Sequence, residues 1–357
     1  MIKLAISGLG RMGMMHLSIY EKLVEEGYPL QIVAICDVDA YKLEGKSTAI
    51  TNLVNSASEN KLSEYKHYSS LTEMLDHEEL DVVDIVMPTH LHAHASIEVL
   101  NRGIHCFCEK PMATTVEDCQ KMIDAAKRAG KNLMIGHCLH FWPEYVYLND
   151  CVKNETFGKV NGGYFWRGGY QDHVKNPSWN NWILKRECGG GAIFDQHVHD
   201  VEVINWIFGK PRAVSTLGKS NATQTYLGMM EDDHKTYNIV NTNYIYEEAT
   251  VITALDDTSY IGYPFGYGFR VNLDSATIAY ENSELMVYRA NQKPFQPDLS
   301  VYGSSNAYYN EFKYYLDCVK AGVAPDKIPN CGSKNAIHMT LCEIESADHN
   351  GKIVFCS

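Results

Sequence analysis

Residues 1–13 read MIKLAISGLGRMG, and this stretch decides the fold. An apolar run of β type (Ile2, Leu4, Ala5, Ile6) leads into Gly8-Leu9-Gly10-Arg11-Met12-Gly13. His16, Leu17, Ile19, Tyr20, Leu23 and Val24 then recur at helical spacing. The pattern is G-x-G-x-x-G between a strand and a helix, the setting in which it binds a dinucleotide. Gly8 serves the tight turn, Gly10 lets a pyrophosphate approach the backbone, and Gly13 lets the helix lie close to the sheet. Arg11 and Met12 complete the turn, and the helix N-terminus offers its N–H groups to the anion.

The next element strengthens the reading. Gln31–Cys36 reads as a second buried strand ending at Asp37. A carboxylate there hydrogen-bonds the hydroxyls of an adenosine ribose and repels a 2′-phosphate, and Val38 leaves no Arg just after it. The expected cofactor is therefore NAD rather than NADP. The competing reading makes Asp37 a turn residue beside Asp39.

Working outward, the 357 residues suggest two domains, and 45% hydrophobic with 21% charged residues suits a soluble globular chain. A net charge of −13 disfavours nucleic acid and anionic membranes as partners. No apolar run approaches the roughly 20 residues that span a bilayer. The first strand begins at Ile2, so no signal peptide is expected, and eleven cysteines without framework spacing suit a reducing cytoplasm. Strands are expected at 2–7, 31–36, 82–87, 104–108 and 132–136, with helices at 12–26, 70–77, 92–102 and 116–130. Thr115 looks like the cap of the last helix and Gly130 its stop. Such alternation implies a parallel sheet with helices on both faces. Residues 41–66 lack a clear period.

After Gly136 the text changes. Helices are expected at 141–153 and 192–208, a strand at 159–168, and an aromatic loop at 169–190. Strands follow at 213–218, 237–246, 249–254, 269–273, 276–280 and 285–288, then two closing helices at 306–321 and 333–348. This predicts an α/β chain with an N-terminal doubly wound domain over 1–136. The second α/β domain, over 137–357, carries a large, open, mainly antiparallel sheet.

Three segments carry chemistry. Met87-Pro88-Thr89-His90-Leu91-His92-Ala93 follows a strand, at the cofactor crevice of such a sheet, where Pro88, Thr89 and His92 would line the nicotinamide ribose. Thr89 is read as the cap of a helix starting near His92. His90, His92 and His94 cross a strand–helix junction without a neighbouring acidic or cysteine ligand, so no metal is predicted. Cys108-Glu109-Lys110-Pro111 ends another strand; there Lys110 would polarise a substrate oxygen and Glu109 hold a ribose hydroxyl. In Gly189-Gly190-Gly191-Ala192-Ile193-Phe194-Asp195-Gln196-His197-Val198-His199-Asp200, Asp195 and His199 are four apart, so on a helix they share a face. The carboxylate would orient the imidazole and raise its basicity, leaving His199 to take a hydroxyl proton. Taken alone, a Lys at a strand end is usually just solvated, and the Asp195/His199 pair reads first as an ordinary helical pair exposed to water.

The ensemble resembles the glucose–fructose oxidoreductase and inositol dehydrogenase family (Gfo/Idh/MocA) over nearly the whole chain. The glycine turn, Pro88–Ala93, Glu109-Lys110-Pro111 and the D-x-x-x-H segment occur in the family's order. The resemblance implies an N-terminal Rossmann domain, catalytic positions at Lys110, Asp195 and His199, and dimers or tetramers formed through the open sheet. It implies hydride transfer between NAD and a secondary ring hydroxyl of a sugar, inositol or glycoside. The alternatives are an NAD-retaining glycoside-cleaving enzyme that oxidises transiently, and a non-catalytic NAD sensor. His140 departs from an Arg-containing segment common after the fifth strand. His140, Trp166, Arg167, Tyr170 and Trp179 are candidate substrate contacts, with packing in the sheet domain as the competing explanation.

Overall fold

The computed structural model describes residues 1–45, 62–169, 182–183, 185–219, 236–247, 250–257 and 263–356. Tyr170 and Trp179 lie outside the described residues. The chain divides into two compact units, Met1–Cys138 with Tyr308–Asn330, and Leu139–Ala307 with Cys331–Ser357. A division at residue 136 places Tyr308–Asn330 in the second domain, whereas this segment packs in the first unit.

In chain order the first unit contains β1 (Ile2–Ser7), α1 (Arg11–Glu25), β2 (Leu30–Cys36), α2 (Ala40–Leu43), β3 (Lys66–Tyr68) and α3 (Leu71–His77). It continues with β4 (Val82–Ile85), α4 (Thr89–Asn101), β5 (His105–Glu109), α5 (Val116–Ala129) and β6 (Leu133–Gly136). The six strands form one parallel sheet in the order β3-β2-β1-β4-β5-β6. The short edge strand β3 begins at the last residue of the stretch whose sequence lacks periodicity. β4 is buried along its whole length, as expected of a strand covered on both faces. The helix ends follow local chemistry. Thr115 accepts the Asp118 N–H at 3.1 Å, Glu117 and Asp118 sit in the first turn of α5, and Gly130 closes it at φ 61°.

The second unit contains α6 (Pro143–Lys153), β7 (Val160–Gly168), a π-helical turn (Ile193–His197), α7 (Val198–Phe208), β8 (Ala213–Lys219) and β9 (Ile239–Ile245). Then come β10 (Val251–Asp257), β11 (Gly266–Leu273), β12 (Thr277–Glu281) and β13 (Glu284–Tyr288). The chain ends with α8 (Ala307–Ala321), which lies almost wholly in the first unit, α9 (Asn330–Asp348) and β14 (Val354–Phe355). The eight strands run β13-β12-β11-β7-β10-β9-β8-β14, with β7 and β10 parallel and the other pairs antiparallel. Alternation along the strands marks the covered face. Phe165 and Arg167 on β7 are buried, as are Ile252, Ala254 and Asp256 on β10. α7 packs on β7, the π-turn packs on β10, and α9 reaches the same face through Ser346 Oγ, which accepts the Thr216 N–H at 2.8 Å. Among the described residues no helix is long and apolar enough to cross a membrane.

Candidate active site

Parallel register brings the C-terminal ends of four strands to one edge of the first sheet: Ser7 pairs with Cys36 and Ile85, and Ile85 with Cys108. β1 lies between β2 and β4, so the strand order reverses at β1, the switch point where such sheets bind ligands. The glycine turn sits there. A Cβ on Gly13 would stand 1.8 Å from the Gly8 carbonyl oxygen, which makes glycine obligatory for this approach of helix and strand. A Cβ on Gly10 would meet nothing within 4 Å, so that side of the turn is open. Gly10 caps α1 without a side-chain bond, and no acid stands in the first turn. An open glycine beside an uncompensated helix N-terminus fits a dinucleotide diphosphate, with Arg11 and Met12 in the first turn.

Asp37 follows β2 at the same edge and is 7% exposed. Its Oδ2 accepts the Leu9 N–H at 2.7 Å, and its Oδ1 accepts the Asp39 N–H at 2.9 Å. Lys42 donates to both oxygens, at 3.1 and 3.3 Å. Asp37 therefore fixes the glycine turn and forms a turn with Asp39 at once. The Lys42 partner is absent from the sequence reading.

Pro88 occupies the cap position of α4, and Thr89 is the first helical residue and buried. This corrects the expectation that Thr89 caps a helix starting near His92; the φ of Pro88 near −54° enters the helix a turn earlier. His92 is buried, with Nδ1 2.8 Å from the Pro111 carbonyl oxygen and Nε2 2.8 Å from that of Met87. Burial lowers its pKa, against the two carbonyls, which raise it, and the ring lies between the end of β4 and the segment after β5. His90 and His94 are exposed, so the three histidines are not brought together.

The Glu109-Lys110-Pro111 segment leaves β5 with a cis Lys110–Pro111 peptide. Glu109 is buried; its Oε2 accepts the Lys110 N–H at 2.9 Å, and its Oε1 lies 3.1 Å from His16 Nε2. His16 Nδ1 lies 2.8 Å from Asp84 Oδ2, and the ring is fully buried. Sequence reasoning missed this triad, since His16 reads as one more member of an apolar helix face and Asp84 as part of an apolar strand. Burial alone would strip the His16 proton. The charge of Asp84 and the bonds to both carboxylates outweigh it and raise the pKa to about 10. Burial pushes Asp84 up, while the bond to His16 and the nearby Lys110 hold Glu109 below its ordinary range against its own burial. A ring facing two carboxylates donates to both only as an imidazolium, and that is the state the geometry requires. The Lys110 side chain is half-buried.

In the second unit, Asp195 lies within the π-turn and His199 in the first turn of α7, both half-buried. The regular helix expected over 192–208 is thus interrupted at the D-x-x-x-H segment; π-turns recur at functional sites. Gln196 Nε2 donates to Asp195 Oδ2 at 2.8 Å. Gly191 enters the turn at φ 76°, and a Cβ there would stand 2.3 Å from the Thr236 Cβ.

The remaining candidates face the interior or the sheet. His140 is buried, with Nε2 2.8 Å from Glu202 and its ring stacked on Trp206 at 4.0 Å. Arg167 is buried and forks onto Asp200, with Nε to Oδ2 at 3.0 Å and Nη2 to Oδ1 at 3.2 Å. Trp166 projects from the opposite face of β7, where the absence of side chains at Gly266 and Gly268 makes room for its indole. Trp166 and Arg167 therefore do not line one pocket. Beside Arg167 lie two further buried ionisable groups. Burial raises the Asp256 carboxyl well above its ordinary range. His197 is raised despite burial, because Glu343 faces it at 3.0 Å.

Residues 2–137 match the oxidoreductase family, NAD-binding Rossmann fold, and residues 145–308 match the GFO/IDH/MocA C-terminal domain. The chain belongs to the Gfo/Idh/MocA oxidoreductase family. It is 29% identical over 151 residues to 2,7-anhydro-N-acetylneuraminate hydratase of Escherichia coli (42% of this chain, 40% of the relative). It is 26% identical over 213 residues to inositol 2-dehydrogenase of Salmonella typhimurium (58% of this chain, 55% of the relative). The matches span about half the length of these curated relatives. Among solved structures, levoglucosan dehydrogenase in complex with NADH and levoglucosan superposes with a TM-score of 0.84 at 17% identity, covering 99% of each chain. That likeness is one of fold. The first unit is the family's NAD-binding domain, as the glycine turn and Asp37 predict.

Proposed function

We propose that this chain is an NAD-dependent oxidoreductase acting on a secondary ring hydroxyl of a sugar, inositol or glycoside. The observation that carries the reading is the edge of the parallel sheet. The open glycine turn, Asp37, Pro88 and the strand end bearing Lys110 all stand at the C-terminal ends of β1, β2, β4 and β5, at a topological switch point. Bound NAD supplies a hydride acceptor. Gly8, Gly10, Arg11, Met12 and Gly13 hold its diphosphate, and Asp37 takes the adenosine ribose in exchange for part of its contact with Lys42. Lys110 donates to the carbinol oxygen and stabilises its developing negative charge. His199 accepts the hydroxyl proton, and Asp195 orients and tunes the imidazole. His16, Asp84 and Glu109 fix the backbone from which Lys110 projects. The curated relatives' names, a dehydrogenase and a hydratase among them, support alcohol chemistry on a polyhydroxylated ring. On the sheet face opposite the buried Thr216 and Ile252, Leu217 and Val251 are 63% and 60% exposed, which supports association of copies into a dimer or tetramer. Sedimentation velocity checks that assembly.

The test is to incubate the protein with NAD and a panel of cyclitols, aldoses and glycosides while following NADH absorbance. Turnover on at least one ring alcohol, abolished in His199→Asn, is the expected result. Product formation with stoichiometric retained NAD and no net NADH would replace net oxidation by transient oxidation. A protein that binds NAD and turns over no member of the panel would replace the enzyme by a sensor.

A further inference from the structure

We propose that the interior of the second unit holds a divalent-cation site built by His197, Asp200 and Asp256. His197 closes the π-turn, Asp200 lies in the first turn of α7, and Asp256 projects from the covered face of β10. One potential ligand atom from each lies within 4.8 Å of the others, and none of the three residues is more than 1% exposed. Such spacing lets three atoms share one ion.

The second observation is Asp256 itself. Both of its carboxylate oxygens are buried, and neither has a hydrogen-bond partner. Buried carboxylates are almost always satisfied, so an unpartnered one aimed into a ligand cluster marks the place of an ion. His197 repeats the pattern. Its Nε2 lies 3.0 Å from Glu343 Oε2, off hydrogen-bond alignment, and its buried Nδ1 has no partner either. A carboxylate against one ring nitrogen is the usual way of orienting a metal-bound imidazole.

Charge gives the valence. Arg167 forks onto Asp200 and neutralises one of the three buried carboxylates. A metal-bound imidazole is neutral and a metal-bound carboxylate ionised, so in the loaded site Asp256 and Glu343 carry two negative charges, which one dication balances. One imidazole nitrogen and two carboxylate oxygens suit a borderline first-row ion, with Zn2+ as the reference case, better than the all-oxygen cages of Ca2+ or Mg2+. The ion would fasten the π-turn and α7 to β10. This inference uses none of Lys110, Asp195 or His199 and stands independently of the proposed reaction.

The test is metal content and Co2+ spectroscopy of the full chain. After incubation with Zn2+ and desalting, the wild type should retain one equivalent and unfold at a higher temperature than chelator-treated protein. Co2+ in its place should give visible d–d bands without thiolate charge transfer. Asp256→Asn should lose the retained metal and the thermal shift. Glu343→Gln should weaken Zn2+ binding by roughly 10- to 100-fold, the usual cost of losing an orienting partner. The proposal is overturned if the wild type retains neither ion, since protons then neutralise the cluster. Uptake unchanged in Asp256→Asn also overturns it. If Asp256→Asn does not fold, the wild-type Co2+ spectrum decides, because thiolate bands would place the ion on cysteines instead.

Discussion

Each unit of this protein buries a helical histidine against carboxylates, and the two sets differ in whether they close. His16 faces Asp84 and Glu109, and with Lys110 nearby two positive charges answer two negative ones. His197 faces Glu343 and Asp256, and the guanidinium of Arg167 is spent on Asp200. The first set is a scaffold: it fastens α1 to β4 and β5 and thereby fixes the strand end carrying Lys110. The second set leaves both Asp256 oxygens without a hydrogen-bond partner although it is equally dry. The same residue types thus serve support in one place and, in the proposed site, ligand capture in the other, and the unpartnered Asp256 carboxylate separates them.

Breaking the closed set should give the largest effect. His16→Leu leaves Asp84 and Glu109 buried without their cation, and removal of one partner from a buried ion pair costs about 3–5 kcal/mol. Urea denaturation should show that loss. A His16→Leu chain within about 1 kcal/mol of wild type would mean the triad carries no charge. Replacing Asp84 by Asn in the same chain should recover part of the loss, because it removes one orphaned charge.

Next in size is the group that the closed set holds. Lys110→Met should lower kcat by roughly 10²-fold or more, the scale seen when one donor to a developing oxyanion is removed. The urea midpoint should fall far less than in His16→Leu, since Lys110 is half-buried and solvent screens its charge. Full turnover in this variant would end the assignment of Lys110 as the electrophile. Paired with His16→Leu, it separates loss of the scaffold from loss of the catalytic group.

A smaller effect comes from titrating the scaffold. The pKa of His16 rises from 6.5 to about 10 on folding. A raised folded value means that the stabilisation is fully present below pH 6.5 and is lost as pH climbs through about 10. The difference in stability between wild type and His16→Gln should therefore shrink steadily over that window. Taking the difference removes the contribution of the buried thiols, which burial lifts above the ordinary thiol range in the folded chain. A difference independent of pH would place a neutral ring between the carboxylates.

What the sequence disclosed follows from how far apart the interacting residues lie. The glycine turn, Asp37, the Thr115 cap and the alternation of strand and helix are local patterns, and each is found where it was read. The His16–Asp84 and His16–Glu109 contacts join residues 68 and 93 apart, so no window contains them. Their signal was a polar residue on an otherwise apolar face, an imidazole in α1 and a carboxylate in β4. Arg167 offered the same signal, since strand alternation puts it on the side of buried Phe165. The π-turn left no local mark beyond three glycines, because its extra residue is accommodated by packing on β10. The short strands β3 and β14 are held by their neighbours in the sheet rather than by any period of their own.

The smallest effect tests a contact that no local pattern announced. Asp37 bears the discrimination between NAD and NADP, yet Lys42 lies 3.1 Å from it and is 25% exposed at its side chain. The ammonium tempers the repulsion that Asp37 exerts on a 2′-phosphate. Lys42→Met should therefore sharpen the preference for NAD by a few-fold, in keeping with the ~0.2–1 kcal/mol of a partly exposed pair. Asp37→Ala should move the preference the other way by about tenfold or more, because it removes the repelling charge and leaves the cation behind. Dissociation constants for both dinucleotides, read from quenching of protein fluorescence, give the two ratios directly. If Lys42→Met leaves the ratio unchanged while Asp37→Ala shifts it, the lysine only fixes the turn. A shift toward NADP in Lys42→Met would overturn the tempering role, because losing a cation cannot by its charge favour a 2′-phosphate.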